Sequence, residues 1–148
     1  MCPFLPIPFL NFFRCNETLL DEQLAAIRCV LESGQYILGK EVRAFELEYA
    51  NWVGARYTVG VASGLDALLL ILLAYREMGV LEAGDEVIVP ANTYIASILS
   101  ITRAGLSPVL VEPDPETYEL DATKAIAAIS SKTKAIMPVH LYGQCADM

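Results

Sequence analysis

From residue 57 onward, apolar runs of two lengths alternate, and this limits the fold more than any other feature. Residues 57–61, 85–89, 107–111 and 133–139 are short and rich in Val, Ile and Leu. Between them lie longer segments with helical spacing, 65–78, 93–103 and 122–129. Short runs without polar alternation predict strands of a parallel sheet buried on both faces. Strands and helices in alternation predict a doubly wound α/β sheet. Gly79, Gly84 and Gly105 punctuate the pattern, and Pro90 closes the second strand. Residues 1–56 read differently. An extended stretch, 7–15, precedes a helix capped by Asn16 or Thr18 and running to Ser33, where Gly34 stops it. A connector leads to a second helix, 41–52, ended by Gly54. The expected organisation is a helical segment, 1–56, followed by the first part of an α/β domain, 57–148. A parallel sheet needs a crossover after each strand, so a chain stopping at Met148 reads as a truncated domain.

Composition removes several function classes. The formal net charge is -8, from 10 basic and 18 acidic residues, which argues against a nucleic-acid partner. The longest apolar run, 67–75, is far shorter than the ~20 residues of a membrane span. The N-terminus is apolar but has no basic region and is broken by three prolines, so it does not read as a signal peptide. Cys2, Cys15, Cys29 and Cys145 show neither metal-ligand nor Cys-x-x-Cys spacing, and reduced thiols in the cytoplasm are the expectation. One histidine, His140, does not make a metal site, and no metal is expected. An apolar fraction of 55% points to deep burial or to further protein around the chain.

The stretch Gly60-Val-Ala-Ser-Gly-Leu-Asp-Ala67 turns from a strand into a helix. Such a turn aims free N–H groups and the positive end of the helix dipole at one point, where an anion fits. It is equally an ordinary βα turn, with Ser63 as N-cap and Asp66 as a first-turn acid. Neither a Gly-x-Gly-x-x-Gly nor a phosphate-loop lysine motif is present. In open α/β sheets, ligands sit outside the C-terminal strand ends. Ser63-Gly64, Asn92-Thr-Tyr94 and His140-Leu-Tyr-Gly-Gln144 all fall there. Tyr94 either lies against a flat heterocycle or is a core aromatic, and His140 is either a hydrogen-bonded strand-end residue or a catalyst. A phosphate beside a flat ring suggests a nucleotide, a flavin or pyridoxal phosphate.

Several segments in order carry a resemblance. They are Ile7-Pro-Phe-Leu10, Gly39-Lys-Glu-Val42 with Phe45-Glu46, Gly60-Val-Ala-Ser-Gly-Leu-Asp-Ala-Leu68, Gly84-Asp-Glu-Val-Ile-Val-Pro-Ala-Asn-Thr-Tyr-Ile-Ala96, Asp121, and Thr133-Lys-Ala-Ile-Met-Pro-Val-His-Leu-Tyr-Gly-Gln144. Together they resemble the N-terminal part of the DegT/StrS family of pyridoxal-phosphate-dependent nucleotide-sugar aminotransferases. The resemblance implies a fold-type I large domain around a mostly parallel sheet. It implies that Ser63, Gly64, Leu65 and Asp66 sit at the cofactor phosphate, largely through backbone N–H groups. It places Tyr94 against the pyridine ring and Tyr36, in the 34–39 connector, toward the substrate. Leu65 stands where much of the family has Thr.

The implied reaction moves an amino group, usually from glutamate, to a keto sugar attached to a nucleotide, in a homodimer with active sites at the subunit interface. Neither the Schiff-base lysine nor the acid that pairs with the pyridine nitrogen is matched within residues 1–148. Lys40, Lys124, Lys132 and Lys134 do not match that lysine. No catalytic residue is therefore assigned, and this chain alone is expected to be inactive. A sugar dehydratase of the same fold, in which that lysine is usually replaced by histidine, and a non-catalytic α/β binding module are the other readings.

Overall fold

The computed structural model describes residues 8–148. The proline-broken start, Cys2 and Ile7 lie outside them. The chain divides into two compact units, Met1–Gly60 and Val61–Met148.

The first unit is helical. α1 (Phe12–Asn16) is capped by Asn11, whose Oδ1 accepts the Arg14 N–H at 3.1 Å. Residues 12–15 are thus helical and not extended as expected, because a capping Asn followed by aromatic residues suits a first turn as well as a strand. A 3-10 turn (Glu17–Leu19) leads into α2 (Leu20–Ser33). Neither Asn16 nor Thr18 caps α2; the Asn16 amide instead donates to the Phe12 carbonyl at 3.0 Å. Asp21 and Glu22 complement the dipole of its first turn. α3 (Lys40–Val53) follows the connector. Both helices end on glycines in the left-handed region, Gly34 at φ +67° and Gly54 at φ +72°, which only glycine adopts without strain. On α3, Phe45, Tyr49 and Trp52 form a ladder with ring centroids 5.6 and 5.7 Å apart, as their helical spacing dictates.

Residues 57–61 form no strand. Tyr57 and Val59 are exposed, and the Gly60 N–H goes to the Glu46 carboxylate at 2.7 Å. A β-favouring composition yields a strand only where a neighbour completes the ladder.

The second unit is a parallel α/β layer. α4 (Gly64–Glu77), β1 (Glu86–Pro90), α5 (Ile95–Arg103), β2 (Ser107–Val111), α6 (Ala122–Ala127) and β3 (Thr133–Ile136) follow in order. The sheet order is β2-β1-β3, with both pairings parallel. Ile88 lies opposite Val109 on one side and Ile136 on the other. β3 is shorter than expected. Its ladder ends with the Met137 N–H donating to the Ile88 carbonyl at 2.8 Å, and Pro138 has no N–H to continue it.

β1 is covered on both faces, as its unbroken apolar run demands. Val87 and Val89 pack with Leu72, Leu81, Ile101, Ala104 and Leu106 on one face. Ile88 packs with Val111 and Ala125 on the other. Arg76 joins α4 to α5 by donating to the Ala104 carbonyl at 2.7 Å. These layers bring the N-termini of α4 and α5 to the same end of the unit.

Candidate functional site

At that end lies an open cleft of about 800 Å³ lined by Ser63, Gly64, Leu65, Ala67, Leu68, Tyr94, Ile95, Ala96 and Leu99. One wall is the first turn of α4 and the other is the first turn of α5. Six of the nine lining residues are Leu, Ile or Ala side chains of these two helices, so the walls are apolar.

The α4 terminus explains its own sequence. Ser63 is extended (φ -157°, ψ 165°) and its Oγ accepts the Asp66 N–H at 3.2 Å. The same hydroxyl donates to the Asp66 carboxylate at 2.9 Å. The cap therefore uses one of the helix's orphan donors, and the Ala67 N–H turns back to the Ser63 carbonyl at 3.0 Å. The Gly64 and Leu65 N–H groups have no partner among the described residues. Two spare donors at the positive end of a 14-residue helix are suited to an anion with several acceptor oxygens. A Cβ placed on Gly64 would meet nothing within 4 Å, so the turn is open to a ligand.

Tyr94 faces this turn across the cleft. It occupies the N-cap position of α5 at φ -65°, ψ 142°, without side-chain capping. It is 77% exposed, so it is not a core aromatic within this unit. Its ring is left available for stacking. An anion cradle, apolar walls and a free aromatic ring fit a phosphorylated flat heterocycle, and pyridoxal 5'-phosphate meets that description.

The structure thus brings Ser63, Gly64, Leu65 and Tyr94 to one cleft. Asp66 does not line it; its N–H and carboxylate are both engaged by Ser63. Tyr36 lines a separate hollow of about 460 Å³ in the first unit, with Gly34, Gln35, Leu38 and Arg43 among its neighbours. Its phenol donates to the Leu31 carbonyl at 3.2 Å. His140 accepts the Ala146 N–H on Nδ1 at 3.1 Å, which is the hydrogen-bonded strand-end alternative. No lysine lines the cleft. Lys124 bonds Asp121 and the Pro113 carbonyl, Lys40 pairs with Glu41, and Lys132 and Lys134 lie at the start of β3.

Sequence reading missed Leu68, Ile95, Ala96 and Leu99, whose helical spacing looked like core. Among the described residues no group of three or more His, Cys, Asp or Glu side chains is placed to hold a metal. Among the same residues no helix is long and apolar enough to cross a membrane.

Fold and cleft together define a parallel α/β protein with an anion turn opposite an aromatic platform. Residues 17–148 match the DegT/DnrJ/EryC1/StrS aminotransferase family, and the chain belongs to that family. It is 56% identical over 142 residues to the dTDP-3-amino-3,6-dideoxy-α-D-galactopyranose transaminase of Aneurinibacillus thermoaerophilus, covering 96% of this chain and 38% of the relative. Among solved structures, S. venezuelae DesV in complex with a ketimine intermediate superposes with a TM-score of 0.86 at 47% identity. That match covers 95% of this chain and 37% of DesV. A GDP-4-keto-6-deoxymannose-3-dehydratase with a trapped PLP-glutamate geminal diamine also matches, with a TM-score of 0.75 at 34% identity, covering 81% of this chain and 32% of the dehydratase. The chain spans less than two fifths of the length of each of these relatives.

Proposed function

We propose that this chain forms the phosphate turn and ring platform of a pyridoxal-phosphate-dependent transaminase acting on a nucleotide-linked keto sugar, with glutamate as amino donor. The observation that carries this reading is the convergence of the two spare N–H groups, Gly64 and Leu65, and the exposed Tyr94 ring on one cleft. The 56% identity to a dTDP-sugar 3-transaminase favours a 3-keto-6-deoxyhexose substrate.

When bound, pyridoxal 5'-phosphate supplies the electron sink through which an amino group is moved. The chain's own residues bind and orient. The Gly64 and Leu65 N–H groups hold phosphate oxygens, and Ser63 keeps those donors aimed by capping the helix. Tyr94 lies against the pyridine face. Leu65, Leu68 and Leu99 keep water from that side of the ring. Tyr36 is assigned to the sugar-nucleotide side. Residues 57–148 form the cofactor-binding part and residues 1–56 a helical N-terminal segment. We assign a homodimer, supported by large exposed apolar side chains in each unit, such as Trp52 and Tyr142. The exposed free thiols of Cys15, Cys29 and Cys145 support a reducing, cytoplasmic setting.

The test is a titration of the 148-residue chain with pyridoxamine 5'-phosphate, which has no aldehyde to react with surface lysines. Saturable amide-resonance shifts are expected at Gly64, Leu65 and Tyr94. Gly64→Pro removes one spare donor at the first helical position, where proline is tolerated and the extended Ser63 suits a following proline. It should weaken binding by roughly ten- to a hundredfold, the worth of a hydrogen bond to a charged group, without loss of helical circular dichroism. Unshifted resonances at Leu65 and Tyr94 overturn the reading.

A second reading, a sugar dehydratase on the same cofactor, is favoured by the 34% identity to the dehydratase. The cleft residues would serve both chemistries alike.

A further inference from the structure

We propose that the hydroxyl bridge between Thr93 and Ser97 is a positioning device that holds Tyr94 as a rigid ring platform. The inference rests on the reading of Tyr94 as the surface against which the cofactor ring lies. The two Oγ atoms are 2.7 Å apart and straddle Tyr94 in sequence. Ser97 is 7% exposed, so its hydroxyl needs a protein partner.

Tyr94 poses a mechanical problem. A ring 77% exposed has little packing to fix it, and a loose platform costs affinity because its rotamer must be frozen on binding. Pinning the backbone on both sides of the residue does not select a rotamer, but it fixes the position and direction of the Cα–Cβ bond and so narrows where the ring can go. Ahead of it, the Ala91 N–H donates to the Val111 carbonyl at 2.8 Å and the Asn92 amide donates to the Tyr118 carbonyl at 2.9 Å. Behind it, the Ser97 N–H donates to the Tyr94 carbonyl at 3.0 Å. The Ser97 carbonyl in turn accepts the hydroxyl of the fully buried Ser100 at 2.7 Å. The Thr93–Ser97 bridge closes the bracket from one side of Tyr94 to the other.

A Thr one residue before the N-cap invites another use. A Ser or Thr hydroxyl beside a helix start is able to bond a nearby backbone N–H. Here it does not: the Ile95 and Ala96 N–H groups have no partner among the described residues. The Thr93 hydroxyl is spent on Ser97 and, at 3.4 Å, on the Tyr94 carbonyl itself. The hydroxyl ties the backbone ahead of Tyr94 to the first turn of α5 behind it.

The test compares two probes, pyridoxamine 5'-phosphate and inorganic phosphate, on the 148-residue chain. Both partners are removed together, in Thr93→Val/Ser97→Ala, so that no buried hydroxyl is orphaned and the chain stays folded. Affinity for pyridoxamine 5'-phosphate is expected to fall roughly fivefold, within the range of one hydrogen bond. Affinity for inorganic phosphate, which has no ring to lie against Tyr94, should not change. Thr93→Ser keeps the bridge and should bind as the parent does. On a Tyr94→Ala background the double substitution should cost nothing further, since there is no ring left to position. Equal losses for both probes, or a full loss on the Tyr94→Ala background, would show a merely structural bridge and overturn the proposal. An unchanged pyridoxamine 5'-phosphate affinity also overturns it while leaving the cofactor reading intact. Failure of the parent chain to bind pyridoxamine 5'-phosphate overturns both.

Discussion

At the level of single residues, short-range hydrogen bonds decide what is free to bind. Ser63 and Asp66 satisfy each other, which leaves the Gly64 and Leu65 N–H groups as the donors of the turn. The same economy governs the loop after β2. The Asp114 carboxylate accepts the Thr117 and Glu116 N–H groups, and these bonds hold its pKa below the usual aspartate range. Asp121 is lowered chiefly by the Lys124 N–H, seconded by the Lys124 side chain. Both carboxylates are favoured in the folded chain over the unfolded one. Their contribution to stability is full above the range where unfolded aspartates titrate and is lost as pH falls through the lowered folded values. Melting temperatures of Asp114→Asn/Asp121→Asn should therefore decline less steeply than those of the parent below about pH 4. Parallel curves from pH 7 to 2 would contradict this. Asp121 and Ser63 were legible as caps from residue type and the helical pattern that follows. Asp66 was legible as a first-turn acid, but the reciprocal bonding of its N–H and carboxylate to the Ser63 hydroxyl was not.

At the level of elements, β1 and α5 organise the second unit. Ile101 is fully buried against Val87, Val89 and Leu72, whereas Ile126 on α6 is 68% exposed. Ile101→Ala should cost about 2–5 kcal/mol in denaturant unfolding, from lost transfer energy and a residual cavity. Ile126→Ala should stay within about 0.5 kcal/mol. Similar losses at the two positions would mean that the core is misassigned. Helices α2 to α6 were readable to within a few residues because their apolar periods agree with the glycines that stop several of them, and with the caps at Ser63 and Asp121. The strand expected at residues 57–61 failed for a reason that periodicity does not contain. The Gly60 N–H is bound by Glu46, fourteen residues earlier, and no ladder partner is present among the described residues.

At the level of the whole molecule, the cleft proposed to hold the cofactor has no lysine in its lining. Helix-end phosphate binding is worth up to ~2 kcal/mol, well short of a covalent link. We expect the 148-residue chain to hold the cofactor only reversibly. Incubation with pyridoxal 5'-phosphate should give no stoichiometric absorbance band that borohydride abolishes, and no amino transfer from glutamate. A stoichiometric, borohydride-sensitive band traced by peptide mapping to one residue would refute this.

The sequence by itself determined the α/β class, the parallel sheet, the caps at Ser63 and Asp121 and the turn into α4. Each follows from residues close together in the chain, where periodicity, glycine and short polar side chains act locally. Only the tertiary structure decided that Ser63, Gly64 and Leu65 share one cleft with Tyr94, and that Asp66 is not among its lining residues. Those relations depend on how α4 and α5 pack over β1, and close packing between distant segments is a property of the folded core that no local pattern records.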